Sequence, residues 1–177
     1  AWAENLSTKM TAWGVAVADK FKVVWTVRLG PHIALRTDSD NFMPNHFGVG
    51  RLPDDYAHNL RYCTDMVCVD MGHQPISSCE FVAFMPKLKY LIIADTKIKD
   101  LTPLTGRKEL IYLEIFLSKV RDYSPLTTCK ALEDLNLCYT QGDPEPIGEM
   151  TWLKRLWWAG CWAGRTYLKD KLPDTYA

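Results

Sequence analysis

The stretch LKYLIIADTKIKDLTPL, Leu88 to Leu104, is followed by LIYLEIFLSKVRDYSPL, Leu110 to Leu126, a second copy displaced by 22 residues. Working outward from this pair, the same offsets recur in both directions. One apolar column runs Met66, Leu88, Leu110, Leu132 and Leu153; a second runs Val69, Leu91, Leu113, Leu135 and Leu156; a third runs Met71, Ile93, Ile115, Leu137 and Trp158. The spacings are 22, 22, 22 and 21. Two further apolar columns lie outside the LxxLxL core of each copy: Ile76, Ile98 and Val120, then Leu60, Val82, Leu104, Leu126 and Ile147.

An unbroken period of 20–29 residues with apolar side chains at fixed offsets marks a leucine-rich-repeat solenoid, in which each copy is one supersecondary unit stacked on the next. Thr102-Pro103-Leu104 and Ser124-Pro125-Leu126 look like an N-cap followed by Pro at the first helical position. Each copy is therefore expected to be a short strand, a turn and a brief helical return. The expected fold is α/β: a solenoid of about five repeats with parallel strands on its concave face and an N-terminal helix and hairpin cap.

The flanks supply that cap. Leu6, Met10, Trp13 and Val17 make an apolar stripe at helical spacing. Phe21 to Thr37 then turns β-branched and aromatic, split by Leu29-Gly30-Pro31-His32, which predicts a hairpin. Asp38 to Pro53 has no period and reads as a connector, and Asp54 or Asp55 should cap a short helix leading into the first repeat. The chain divides on this reading into residues 1–53 as cap and connector, 54–163 as repeats, and 164–177 as a C-terminal cap or a lead-out into a following domain. The fourth copy loses one residue within Gln141 to Met150, so its return should be irregular.

Bulk composition narrows the function. Of 177 residues 47% are hydrophobic, enough for a sizeable core, and 21 basic residues balance 21 acidic ones. No global field draws such a chain to nucleic acid or an anionic membrane, so neither is expected as a partner. No apolar run reaches the roughly 18 residues of a membrane span, and membrane insertion is not expected. The N-terminus lacks the order of a signal peptide and has no initiator Met, so Ala1 is expected to be a processed or cut end. Cys63 and Cys129 occupy equivalent columns three repeats apart, about 14 Å at strand spacing, beyond the roughly 7 Å a disulfide bridges. These two are expected not to pair, and most of the six cysteines to be thiols.

The columns resemble the bacterial 22-residue leucine-rich repeats of the internalin type, whose pattern is LxxLxLxxNxI followed by a D-[IL]-[ST]-P-L turn. KDLTPL (Lys99 to Leu104) and RDYSPL (Arg121 to Leu126) match that turn. The resemblance spans roughly residues 57 to 165 and implies a curved solenoid, in a family of mostly secreted or surface-attached proteins that bind other macromolecules. Two departures stand out. The family's Asn column is here Gln74, Thr96, Ser118, Thr140 and Cys161, which should satisfy fewer backbone groups and loosen the turns. Arg107 interrupts the apolar file Cys63, Met85, Cys129 and Met150, and must reach solvent or a carboxylate.

Side chains alternate along a strand, so the residues between the inward leucines point out of the concave face and stack in rows about 5 Å apart. The rows are Cys68, Tyr90, Tyr112, Asp134, Arg155; Asp70, Ile92, Glu114, Asn136, Trp157; and Gly72, Ala94, Phe116, Cys138, Ala159, with His73, Asp95, Leu117, Tyr139 and Gly160 just past the strands. Tyr and Trp dominate interface hot spots, and no core requirement places aromatics here. The candidate binding surface is Tyr90, Ile92, Tyr112, Glu114, Phe116, Asp134, Asn136, Tyr139, Arg155 and Trp157. Asp134 with Arg155, and His73 with Asp95, are expected ladder pairs that tune specificity more than stability.

A non-catalytic protein-recognition module is therefore the leading reading. A structural spacer in a larger bacterial surface protein, without a ligand of its own, is the alternative, and self-association through the aromatic face is a third. Catalysis is not expected: Cys68 and His73 lie about 16 Å apart at strand rise and cannot couple. No metal or other cofactor is expected either. Asp38-Ser39-Asp40-Asn41 opens like a calcium loop, but Met43 and Val49 stand where that loop needs Gly and Glu.

Overall fold

A computed structural model of the chain describes residues 25–29, 32–36, 57–161 and 164–175, with the backbone alone for 25–29, 32–36, 58 and 59. Strands β1 (Trp25–Leu29) and β2 (His32–Arg36) form an antiparallel hairpin, as the sequence predicts around Gly30-Pro31. β2 then pairs in parallel with β3 (Met66–Asp70), the first strand of the repeats. β4 (Tyr90–Ile92), β5 (Tyr112–Glu114), β6 (Asp134–Asn136) and β7 (Arg155–Trp157) follow in chain order in one open seven-stranded sheet. The helix expected within residues 3–20, the connector and the Asp54 or Asp55 cap lie outside the described residues.

Register follows the 22-residue period. Tyr90 stands beside Tyr112, Leu91 beside Leu113 and Ile92 beside Glu114, and the next pairs continue through Tyr112 beside Asp134 to Asn136 beside Trp157. The inward columns are closed to solvent: Leu91, Leu113 and Leu135 are each 0% exposed, as are Leu104 and Leu126 on the return side. Trp158, fifth in its column, is only half-buried and sets its ring edge-on to Tyr123 at 6.2 Å.

Each strand ends in the same backbone event. His73, Asp95, Leu117 and Tyr139 all have left-handed φ, from 48° to 61°, and Gly160 completes the column at 69°. The left-handed turn bends the chain out of the sheet while its N–H still reaches the next repeat, as in Asp95 N to Phe116 O at 2.7 Å and Leu117 N to Cys138 O at 3.1 Å. For Leu117 this conformation is costly, and only a ladder of neighbours bonded alike holds it.

The returns are 3₁₀ turns, η1 (His58–Tyr62), η2 (Glu80–Phe84), η3 (Thr102–Leu104) and η4 (Ser124–Thr128), and then α1 (Glu145–Gly148). The shortened fourth copy thus winds as one α-turn. The expected capping needs correcting. Thr102 and Ser124 are not the caps: Asp100 Oδ1 accepts the N–H of Thr102 at 2.7 Å, and Asp122 Oδ1 that of Ser124 at 2.8 Å. Asp143 does the same for Glu145 at 3.0 Å, and Ser78 Oγ for Glu80 at 3.1 Å. A side chain two residues ahead of the first free N–H makes an Asx-type turn, which is why Asp opens the D-x-[ST]-P-L motif.

The two departures from the family pattern resolve locally. Thr96 and Thr140 donate their hydroxyls back to Ile93 O and Leu137 O, at 2.9 and 2.5 Å, closing their own turns. Tyr123, 0% exposed, donates its hydroxyl to Thr140 Oγ1 at 2.7 Å and accepts the N–H of Gly142 at 2.9 Å. A Cβ at Gly142 would run into that ring, so glycine is needed there for close approach. Arg107 stays partly open to solvent, and no carboxylate among the described residues pairs with it. Its guanidinium donates to the carbonyls of Met85 and Ala83 in the preceding repeat, and burial pushes its pKa below the usual value.

Past β7, helix α2 (Arg165–Lys171) lays Leu168 and Leu172 onto the core, 5% and 6% exposed, and Thr175 Oγ1 donates to Leu153 O at 2.8 Å.

Candidate functional site: the concave strand face

The outward residues of β3 to β7 form the rows that the sequence sets out. Tyr90 and Trp157 are the most open of the apolar and aromatic strand positions, 40% and 38% exposed, and Tyr139 just beyond β6 is 54% exposed. Ile92, Tyr112, Glu114, Phe116 and Asn136 are half-buried, because neighbouring rows overlap them. The sheet therefore brings nine of the ten candidate residues to one accessible face.

Asp134 departs from that set. It is 7% exposed, lying under Arg155, whose Nη2 donates to Asp134 Oδ2 at 2.8 Å and whose Nε donates to Oδ1. The fork of two bonds fixes the guanidinium on the face and leaves the carboxylate with little surface to offer. The same bonds raise the Arg155 pKa further above its ordinary value. His73 Nδ1 meets Asp95 Oδ2 at 3.0 Å, the second expected ladder pair.

Between these pairs, Tyr112 donates its hydroxyl to Glu114 Oε2 at 2.6 Å. Burial, followed by the Glu114 bond and charge, pushes the Tyr112 pKa above its usual range, so the phenol stays a donor. Phe116 and Tyr139 meet edge to face, centroids 5.6 Å apart, which stiffens that corner. Cys68, in the first row, is pushed up to about 11, chiefly by burial and then by Asp70, so it is a neutral thiol on this face.

Leu117, 44% exposed, belongs to the surface and was missed as a candidate. Its signal was there: an apolar residue in a column otherwise held by His73, Asp95, Tyr139 and Gly160. Tyr62 and Phe84, about half exposed and 22 residues apart on η1 and η2, form a separate aromatic pair on the return side. Among the described residues no three His, Cys, Asp or Glu side chains gather as metal ligands, and no helix is long and apolar enough to cross a membrane.

The backbone path can be laid over solved proteins. Internalin C2 of Listeria monocytogenes matches 66% of the chain with a TM-score of 0.60 and 24% identity. An internalin of the same organism, inlF, matches 58% with a TM-score of 0.55 and 26% identity. The fold is that of an internalin-like leucine-rich repeat. A leucine-rich-repeat protein of Leptospira interrogans matches 67% of the chain with a TM-score of 0.58 and 20% identity. The chain spans 52%, 30% and 32% of the lengths of these three proteins. No family model and no curated sequence matches it.

The concave face is a broad shallow surface of rings, ion pairs and a few amide and carboxylate groups, mounted on the strands and on the turns just past them.

Proposed function

We propose that the chain is a protein-recognition module that docks a macromolecular partner on its concave strand face and carries out no catalysis. The observation that carries this reading is the set of accessible rings in adjacent rows, Tyr90 and Tyr112 in one and Trp157 in the next, with Tyr139 past the strands, on a face whose inward side already completes the core. These rings have the composition of an interface centre. Arg155, pinned by Asp134, adds a preorganised polar contact. The internalin likeness points the same way, and with it goes placement at the bacterial surface or outside the cell.

The test is substitution on the face against substitution elsewhere. Trp157→Ala and Tyr90→Ala should each weaken binding of a partner captured by the intact chain by more than about 1 kcal/mol, with the melting temperature nearly unchanged. Phe84→Ala, on the return side, should leave binding intact. Equal binding by all three variants would favour a spacer role in a longer surface protein.

A further inference from the structure

Resting on that reading of the concave face, we propose that the partner presents an arginine side chain, whose guanidinium seats over Ile92 against Glu114 and the rings of Tyr90 and Tyr112. Charge along the face is unbalanced at one carboxylate. The described carboxylates along the face are Asp70, Asp95, Glu114 and Asp134. Arg155 holds Asp134, and His73 holds Asp95. Asp70 accepts the N–H of Gly72 at 3.0 Å and stands in register beside Arg36 of β2.

Glu114 differs from all three. Its register neighbours, Ile92 and Asn136, carry no charge. Its bond is the one from Tyr112, to Oε2, at 2.6 Å. That bond orients the carboxylate and leaves Oε1 with its acceptor capacity for an incoming donor. Glu114 is also half-buried, so a cation placed on it meets a charge less screened than one on a loop.

The surroundings select which cation. Ile92 lies one strand from Glu114, about 5 Å away, and gives an apolar floor. Tyr90, 40% exposed, stands next to Ile92's strand position and offers a ring face. A planar, weakly hydrated guanidinium stacks on rings and forks onto a carboxylate, whereas an ammonium does neither as well. Lys89 sits one residue before β4, outside the register positions that flank Glu114.

A display library of random short peptides, panned on the full chain, tests this. Arginine should be enriched in the recovered pool over the starting library, and lysine should not. The dissociation constant of an arginine-bearing binder should rise about tenfold or more on Glu114→Gln, which keeps the acceptor for Tyr112, and less on Asp70→Asn. Replacing the peptide's arginine by norleucine should weaken binding to the Glu114→Gln variant much less than binding to the wild-type chain. A pool without arginine enrichment, or binders indifferent to Glu114→Gln, would overturn the proposal. Binders without arginine that are lost on Trp157→Ala would sink the arginine while leaving the concave face as the binding surface; binders indifferent to Trp157→Ala and Tyr90→Ala would sink the face itself.

Discussion

Asp100 and Asp122 each hold one backbone N–H at the start of a return, and those bonds, to Thr102 and Ser124, keep both carboxyls below their ordinary pKa. A depressed folded value means stability that is present above the unfolded carboxyl pKa of about 3.9 and is lost as pH falls through the folded one. Both groups are well exposed, so solvent screening keeps the contribution small. Asp122→Ala should cost about 1 kcal/mol at neutral pH, read from denaturant midpoints, and the cost should shrink in acid as the wild-type carboxylate is protonated. Cys63 and Cys79 work in the opposite direction: burial pushes both up to about 12. The unfolded thiols ionise near 8.5, so stability is full below that pH and declines as pH climbs toward 12. Cys79→Ala should flatten part of that alkaline decline in melting temperature, and an unchanged slope would contradict the assignment. The aspartate role could be placed on a turn by sequence but not read as the cap, because Thr-Pro and Ser-Pro carry the commoner cap signal. The bonds from Arg107 to the Met85 and Ala83 carbonyls were equally hidden, since the acceptors lie in the preceding repeat.

At the scale of the element, strand and return are legible because the period is nearly constant: once Leu91 and Leu113 are inward, alternation fixes Tyr90 and Ile92 as outward. What escapes this logic is how much of an outward residue stays open. Asp134 was expected on the surface and lies under Arg155 because the missing residue in the fourth copy changes nothing in the β6 to β7 register, which sets the two side by side. The left-handed column explains another blind spot. A turn conformation shared by His73, Asp95, Leu117 and Tyr139 has no residue preference in common, so only the backbone shows it. Within an element, Thr140 joins Tyr123 to its own turn, and Thr140→Val leaves the Tyr123 hydroxyl buried without that acceptor. The expected loss is about 1–3 kcal/mol, measured by urea unfolding; a neutral variant would mean that the Gly142 N–H bond suffices.

Across the whole molecule each repeat touches only its neighbours, so stability is a sum of repeats and interfaces. Leu113→Ala, in the middle of the stack and 0% exposed, should cost about 2–5 kcal/mol and speed hydrogen exchange in the strands on both sides of β5. The solenoid was readable in full from the repeat columns, whereas the occupant of its face was not, because rows of rings specify a partner's chemistry only through the charges set among them. Recognition depends on those rings being held outward, in line, for a partner to meet. Binding of one captured partner to the wild-type chain, Trp157→Ala and Phe84→Ala, compared at matched melting temperature, tests this most directly. A loss of at least about fivefold is expected for Trp157→Ala and none for Phe84→Ala; equal affinities, or a loss confined to Phe84→Ala, would overturn the concave face as the binding surface.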